Sequence, residues 1–115
     1  MDNEVLAFWF EEIEPRMWWA ADRAFDDQIQ QRFGSLLDKA SKGELYIWRK
    51  EAKGRLAEII MLDQFSRNIH RNSPAAFSQD SMALALAQEA VAVELHKHLS
   101  ETERSFLLLP YMHSE

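Results

Sequence analysis

The residues from Lys53 to Arg71, KGRLAEIIMLDQFSRNIHR, constrain the fold more than any other stretch of this chain. On a helical wheel Leu56, Ile59 and Ile60 fall on one side, and Met61, Leu62, Phe65 and Ile69 fall on the other. A helix that is apolar on two sides is buried between neighbours rather than laid on a surface. The same wheel sends Asp63, Arg67 and His70 out on the side of Leu56 and Ile60. Charged groups are rarely buried without partners, so these three demand either an internal ion pair or a lined cleft.

The flanking segments read as helices able to surround such a rod. NEVLAFWFEE, residues 3–12, is a short amphipathic helix with Asp2 or Asn3 as cap, ended before Pro15. Trp18 and Trp19 follow in a connecting segment and read as packing anchors. Asp22 caps a second helix from about Arg23 to Ser41, with Phe25, Ile29, Phe33, Leu36, Leu37 and Ala40 recurring at three and four and Gly43 as its stop. ELYIWRKEA, residues 44–52, reads as a docked loop. After the central rod, Ser73 and Pro74 open a helical region reaching Leu95, interrupted near Asp80, whose alanines let neighbours approach closely. Ser100 and Glu103 form a capping box for a last helix that Pro110 stops or kinks. Three Gly and three Pro leave little room for a turn-rich β fold. The expectation is therefore a single helical domain over residues 1–115: all-α, about five helices in stacked antiparallel hairpins, tetratricopeptide-like.

Asp63 precedes Arg67 by four residues, the favourable order for a helical pair. With His70 they form an acid, a guanidinium and an imidazole able to orient an anion and move a proton. The competing reading is an internal ion pair, with Gln64 and Asn68 bridging helix ends through hydrogen bonds. A basic cluster of Arg49, Lys50, Lys53 and Arg55 either holds an anion or is a solvated face answering Glu51 and Glu58. His96 and His98 flank Lys97 and would chelate only in an extended segment; without Cys or an H-E-x-x-H pattern, neither a metal site nor a cofactor is expected.

The net charge of −6 disfavours nucleic acid and anionic membrane as partners. No window reaches the ~20 apolar residues that span a bilayer. The acidic N-terminal lead is unlike a secretory signal. With no Cys, a cytoplasmic protein is the expectation.

The run GRLAEIIMLDQFSRNIHRNSPAAFSQDSMALALA, the opening VLAFWF, the Trp18-Trp19 pair and the ending FLLLPYMHSE resemble the bacterial domain-of-unknown-function family 924 (DUF924). The resemblance implies an all-helical, tetratricopeptide-like fold, of which this chain would cover the N-terminal part, and carries no established activity. It implies that Asp63, Gln64, Arg67, Asn68, His113 and Glu115 occupy the family's polar motif positions. Ser66 stands where the family usually has Pro, so the helix is expected to run unbroken through Arg67. Members extend further, so an apolar surface near Leu107 to Met112 is expected to be covered by a second copy, giving a homo-oligomer through the C-terminal helix.

The leading functional expectation is a helical binding or interaction module that takes a peptide or small anionic ligand near Asp63, Gln64, Arg67, Asn68, His70, Arg71, His113 and Glu115. The alternatives are a hydrolase-type enzyme using a His/carboxylate acid–base pair, and a truncated self-associating domain without independent activity.

Overall fold

The structure, a computed structural model, describes residues 1–113. It is all-α, with five helical rods and no strand among the described residues. The first rod is α1 (Asp2–Ala7), which widens into a π turn over Phe8–Glu12. The second is α2 (Arg23–Ser41). The third runs from α3 (Ala52–Ile60) through a second π turn (Met61–Phe65) into α4 (Ser66–Ile69). The last two are α5 (Asp80–Ala92) and α6 (Glu101–His113). Single 3₁₀ turns at Pro15–Trp19, Tyr46–Lys50, Pro74–Phe77 and Leu95–His98 join them. Residues 44–52 are thus partly a turn rather than a loop.

Local chemistry sets most ends. Asp22 accepts the Phe25 N–H at 2.9 Å, opening α2. Gly43, at φ 74°, closes it: Gly43 N–H reaches the Ala40 carbonyl and Glu44 N–H the Lys39 carbonyl, a Schellman ending that needs a left-handed residue. At the start of α6, Glu103 N–H donates to Ser100 Oγ at 3.2 Å and Ser100 N–H to Glu103 Oε1 at 2.9 Å. The first helix departs from expectation in starting at Asp2, with no side-chain cap at Met1.

The third rod touches every other one: α1, α5 and α6 pack on α3, while α2 packs on its π turn and α4. Leu56, Ala57, Ile59, Met61, Leu62 and Phe65 are fully buried, as a rod apolar on two sides requires. Its entry is tight. A Cβ on Gly54 would lie 2.0 Å from the Trp48 carbonyl oxygen, so only glycine lets the preceding turn fold onto the helix.

The rod is not a continuous α-helix, however. At Met61–Phe65 the hydrogen bonds lengthen by one residue, Ser66 N–H reaching back to the Met61 carbonyl. One more residue per turn rotates everything downstream by about 100° relative to an ideal wheel. The first π turn lies against the second through rings: Phe8 and Trp9 meet Phe65 edge-on at centroid distances of 6.2 and 5.6 Å. The expected unbroken helix through Arg67 is therefore continuous in backbone but widened ahead of Ser66.

Two expectations at the C-terminal end change. Pro110 does not stop α6; the helix runs on to His113 with Pro110 buried within it. Nor is Leu107 to Met112 an apolar surface throughout, because Leu107 and Pro110 are buried and Leu108 and Leu109 are half-buried against the core. Tyr111 and Met112 are the exposed remainder. Among the described residues no helix is long and apolar enough to cross a membrane.

Candidate functional site

The second π turn delivers Asp63 into the interior, 1% exposed. Its Oδ2 accepts the Gln64 side-chain N–H at 2.8 Å. Its Oδ1 lies 2.7 Å from His113 Nδ1 and 3.3 Å from Arg67 Nη1. Arg67 Nη1 also donates to the Asp63 backbone carbonyl at 2.7 Å. Beyond that, the Arg67 fork grips Asp80 with two parallel 3.0 Å bonds and sits 5.2 Å from the Phe77 ring centre. A carboxylate with several donors around it can stay ionised inside a protein. His113 reaches Asp63 from the part of α6 that lies beyond Pro110.

One turn further along, Asp26 of α2 plays the same part for Arg71. Arg71 Nε and Nη2 donate to its two oxygens at 2.6 and 3.0 Å, and the Asn68 side chain adds a 2.9 Å bond. The Asp26 hydrogen bond raises the Arg71 pKa above its ordinary value despite partial burial. Arg71 Nη2 also reaches the Ala20 carbonyl at 3.3 Å. Both arginines are held from behind while about a quarter (Arg67) and a third (Arg71) of each side chain remains exposed.

Two cavities meet at this pair. One, of about 200 Å³, is lined by Trp18, Trp19, Ala20, Gln64, Asn68 and His113 with the two arginines. The other, of about 610 Å³, is lined by Asn72, Ser73, Pro74, Ala76 and Phe77 with the same two. Among the described residues no Asp or Glu lines either cavity, in a chain whose net charge is −6. The acids that pair with the two arginines, Asp63, Asp80 and Asp26, are not among the lining residues.

Of the residues expected in the site, Asp63, Gln64, Arg67, Asn68, Arg71 and His113 come together. His70 does not. It is exposed and lines a separate cavity of about 220 Å³ with Gln30, Asp38, Ser66 and Gln79. α4 ends at Ile69 and His70 follows it at φ −109°, ψ 29°, off the helical path; Gln64, Arg67, Asn68 and Arg71 line one cavity, and Ser66, Ile69 and His70 another. The imidazole beside Asp63 is that of His113. Glu115 lies outside the described residues. In the basic cluster Arg49 is bound two-pronged to Glu58, Lys53 pairs with Glu103, and Arg55 pairs with Glu89 at 2.8 Å.

Sequence reading missed Asp26 and Asp80, whose pairing partners lie 45 and 13 residues away, and Phe77. It assigned Trp18 and Trp19 to packing alone. Trp18 does pack, donating its Nε1–H to the Trp9 carbonyl at 2.9 Å; Trp19 stacks on Phe106 yet is 67% exposed. The stripe at Gln64, Arg67, Asn68 and Arg71 was a readable signal, being polar at helical spacing in an otherwise apolar rod.

Fold and site together define an all-helical protein built around one buried rod, with oriented arginines at its C-terminal end. The chain belongs to the bacterial protein family of unknown function DUF924, whose sequence profile matches residues 5–115. It is similar to a solved structure of a protein of unknown function from Agrobacterium tumefaciens, at 32% identity and a TM-score of 0.92, covering 97% of this chain. The chain spans 63% of the length of that protein. No curated protein matches it.

Proposed function

We propose that this chain is a cytoplasmic, tetratricopeptide-like helical binding module whose cleft at Arg67, Arg71 and His113 takes an anionic group of a small molecule or peptide. The observation that carries this reading is the lining of the two adjoining cavities: two oriented guanidiniums, aromatic rims and no carboxylate among the described residues. Guanidinium forks suit planar anions, and those fixed beforehand lose little freedom on binding. A ligand-stabilisation thermal screen of carboxylates, phosphates, nucleotides and short peptides tests it. At ten times Kd a true ligand stabilises by about 1.4 kcal/mol. The rise in Tm should vanish in Arg71→Gln and shrink in Trp19→Ala, whose exposed side chain contributes little to folding. No stabilisation by any anion would contradict the reading.

A second reading, a hydrolase-type enzyme, draws on the 2.7 Å contact between His113 and Asp63. Asp63 Oδ1 already accepts from Arg67, so the shared proton belongs on His113 Nδ1, leaving Nε2 as a base able to take a proton from water. Hydrolysis of an anionic ester by the wild type and not by His113→Gln would support it. Self-association through the C-terminal helix would have to use Tyr111 and Met112, and light scattering at high concentration tests that.

A further inference from the structure

The larger of the two cavities differs from the smaller in one respect that narrows the ligand. Beside its two arginines its lining combines the polar Asn72 and Ser73 with the apolar Pro74, Ala76 and Phe77. Phe77 is 59% exposed, an unusual state for a phenylalanine in a chain that buries Phe8, Phe25, Phe33, Phe65 and Phe106. Nor is it loose. Its ring lies against the Arg67 guanidinium at 5.2 Å. Its 3₁₀ turn is pinned at the start by the Ala75 N–H to Ser73 Oγ bond at 3.2 Å and at the end by Ser78 Oγ donating to the Ala75 carbonyl at 2.9 Å. An exposed aromatic ring held in place beside two fixed cations forms a wall with two chemistries and a defined distance between them.

We propose that this cavity binds an amphipathic monocarboxylate, the carboxylate meeting Arg67 and Arg71 and the adjoining apolar group packing on Pro74, Ala76 and Phe77. This rests on the anion-binding reading above and specifies its ligand class. The guanidiniums alone would accept any anion. The apolar wall has nothing to offer a compact ion such as phosphate, whereas each methylene laid on it adds to binding. Asp63 and Asp80 pair with Arg67 and Asp26 pairs with Arg71, so the acids in the cluster repel a second negative charge; a singly charged group fits it better than a dianion. The carboxylate of a free fatty or aromatic acid and that of a peptide C-terminus share this chemistry.

Isothermal titration calorimetry on the full chain separates these possibilities, using acetate, hexanoate, hexanamide, inorganic phosphate, and acetyl-Leu-Phe as free acid and as amide. The expected result is that hexanoate binds at least about 10-fold tighter than acetate while hexanamide does not bind, since its apolar tail lacks the charge. Phe77→Ala, which removes an exposed side chain, should erase that preference and bring hexanoate down to the affinity of acetate. If acetyl-Leu-Phe acid outbinds hexanoate, the natural source is a peptide C-terminus; if it is weaker, a free small acid; either ranking supports the shared chemistry. Equal binding of acetate and hexanoate, or phosphate as the tightest of the set, overturns the proposal while leaving the anion cleft standing. Hexanamide binding as well as hexanoate, or no binding by any probe, removes both.

Discussion

The central rod carries two buried carboxylates five positions apart, Glu58 and Asp63, each 1% exposed, and they are used in opposite ways. Glu58 is closed off. Arg49 donates Nε to one oxygen at 2.9 Å and Nη2 to the other at 2.8 Å, and neither residue lines any of the cavities described above. The pairing raises the Arg49 pKa, with the Glu58 hydrogen bond as the main cause. Asp63 is the hub of an open network whose partners Gln64, Arg67 and His113 present their far sides to a cavity. A two-group lock holds the α3 half of the rod in place, whereas a branched cluster at the α4 half leaves donors to spare. Burial of a charge alone therefore does not mark a site; what its partners do with their remaining hydrogen-bonding groups decides.

The largest expected effect falls on the closed pair. Arg49→Ala leaves Glu58 buried with no counter-charge and should cost about 3–5 kcal/mol in urea denaturation, with no specific effect on ligand affinity in whatever fraction folds. A cost under 1 kcal/mol would break the comparison. Asp63→Asn should cost less, about 1.5–3 kcal/mol, because Arg67 keeps its two bonds to Asp80. The cycle of Asp63→Asn with His113→Ala should show coupling of at least about 0.5 kcal/mol, and strict additivity would place His113 outside the cluster.

The smallest effect concerns pH and the α3 half. Burial pushes the Glu103 carboxyl up, but its bonds to Lys53 and to the Ser100 backbone N–H outweigh this and hold it below the ordinary value of 4.5. The folded pKa is therefore lower than the unfolded one. The stabilisation it gives is present above the ordinary carboxylate range and is lost as pH falls through the depressed value. Glu103→Gln should flatten this acid limb by a few tenths of a kcal/mol in melts between about pH 3 and 6, since the Lys53 partner is well exposed. An unchanged limb would assign the acid sensitivity to other carboxylates.

Much of the fold was legible because it rests on local signals. Asp22, Gly43, the Ser100–Glu103 box and the break ahead of Asp80 each act through neighbours within a few residues. The site was legible only in part, for two physical reasons. A π turn depends on what packs against it, here the rings of Phe8 and Trp9 against Phe65, and α4 ends at Ile69, so an ideal wheel carried on to His70 assumed a periodicity the backbone does not keep. The decisive partners are also distant in sequence: His113 lies 50 residues from Asp63, and Asp26 lies 42 from Asn68. Periodicity carries no information about such pairs.

The contrast between the two halves of the rod can be read directly from the arginine side chains. Two-dimensional NMR of the guanidinium Nε–H signals, recorded while hexanoate is titrated into the protein, places Arg49, Arg67 and Arg71 in one experiment. The Arg67 and Arg71 signals should move and saturate together while that of Arg49 stays fixed. If Arg67 and Arg71 hold still, or all three drift in parallel without saturating, the branched cluster is scaffolding like its closed neighbour.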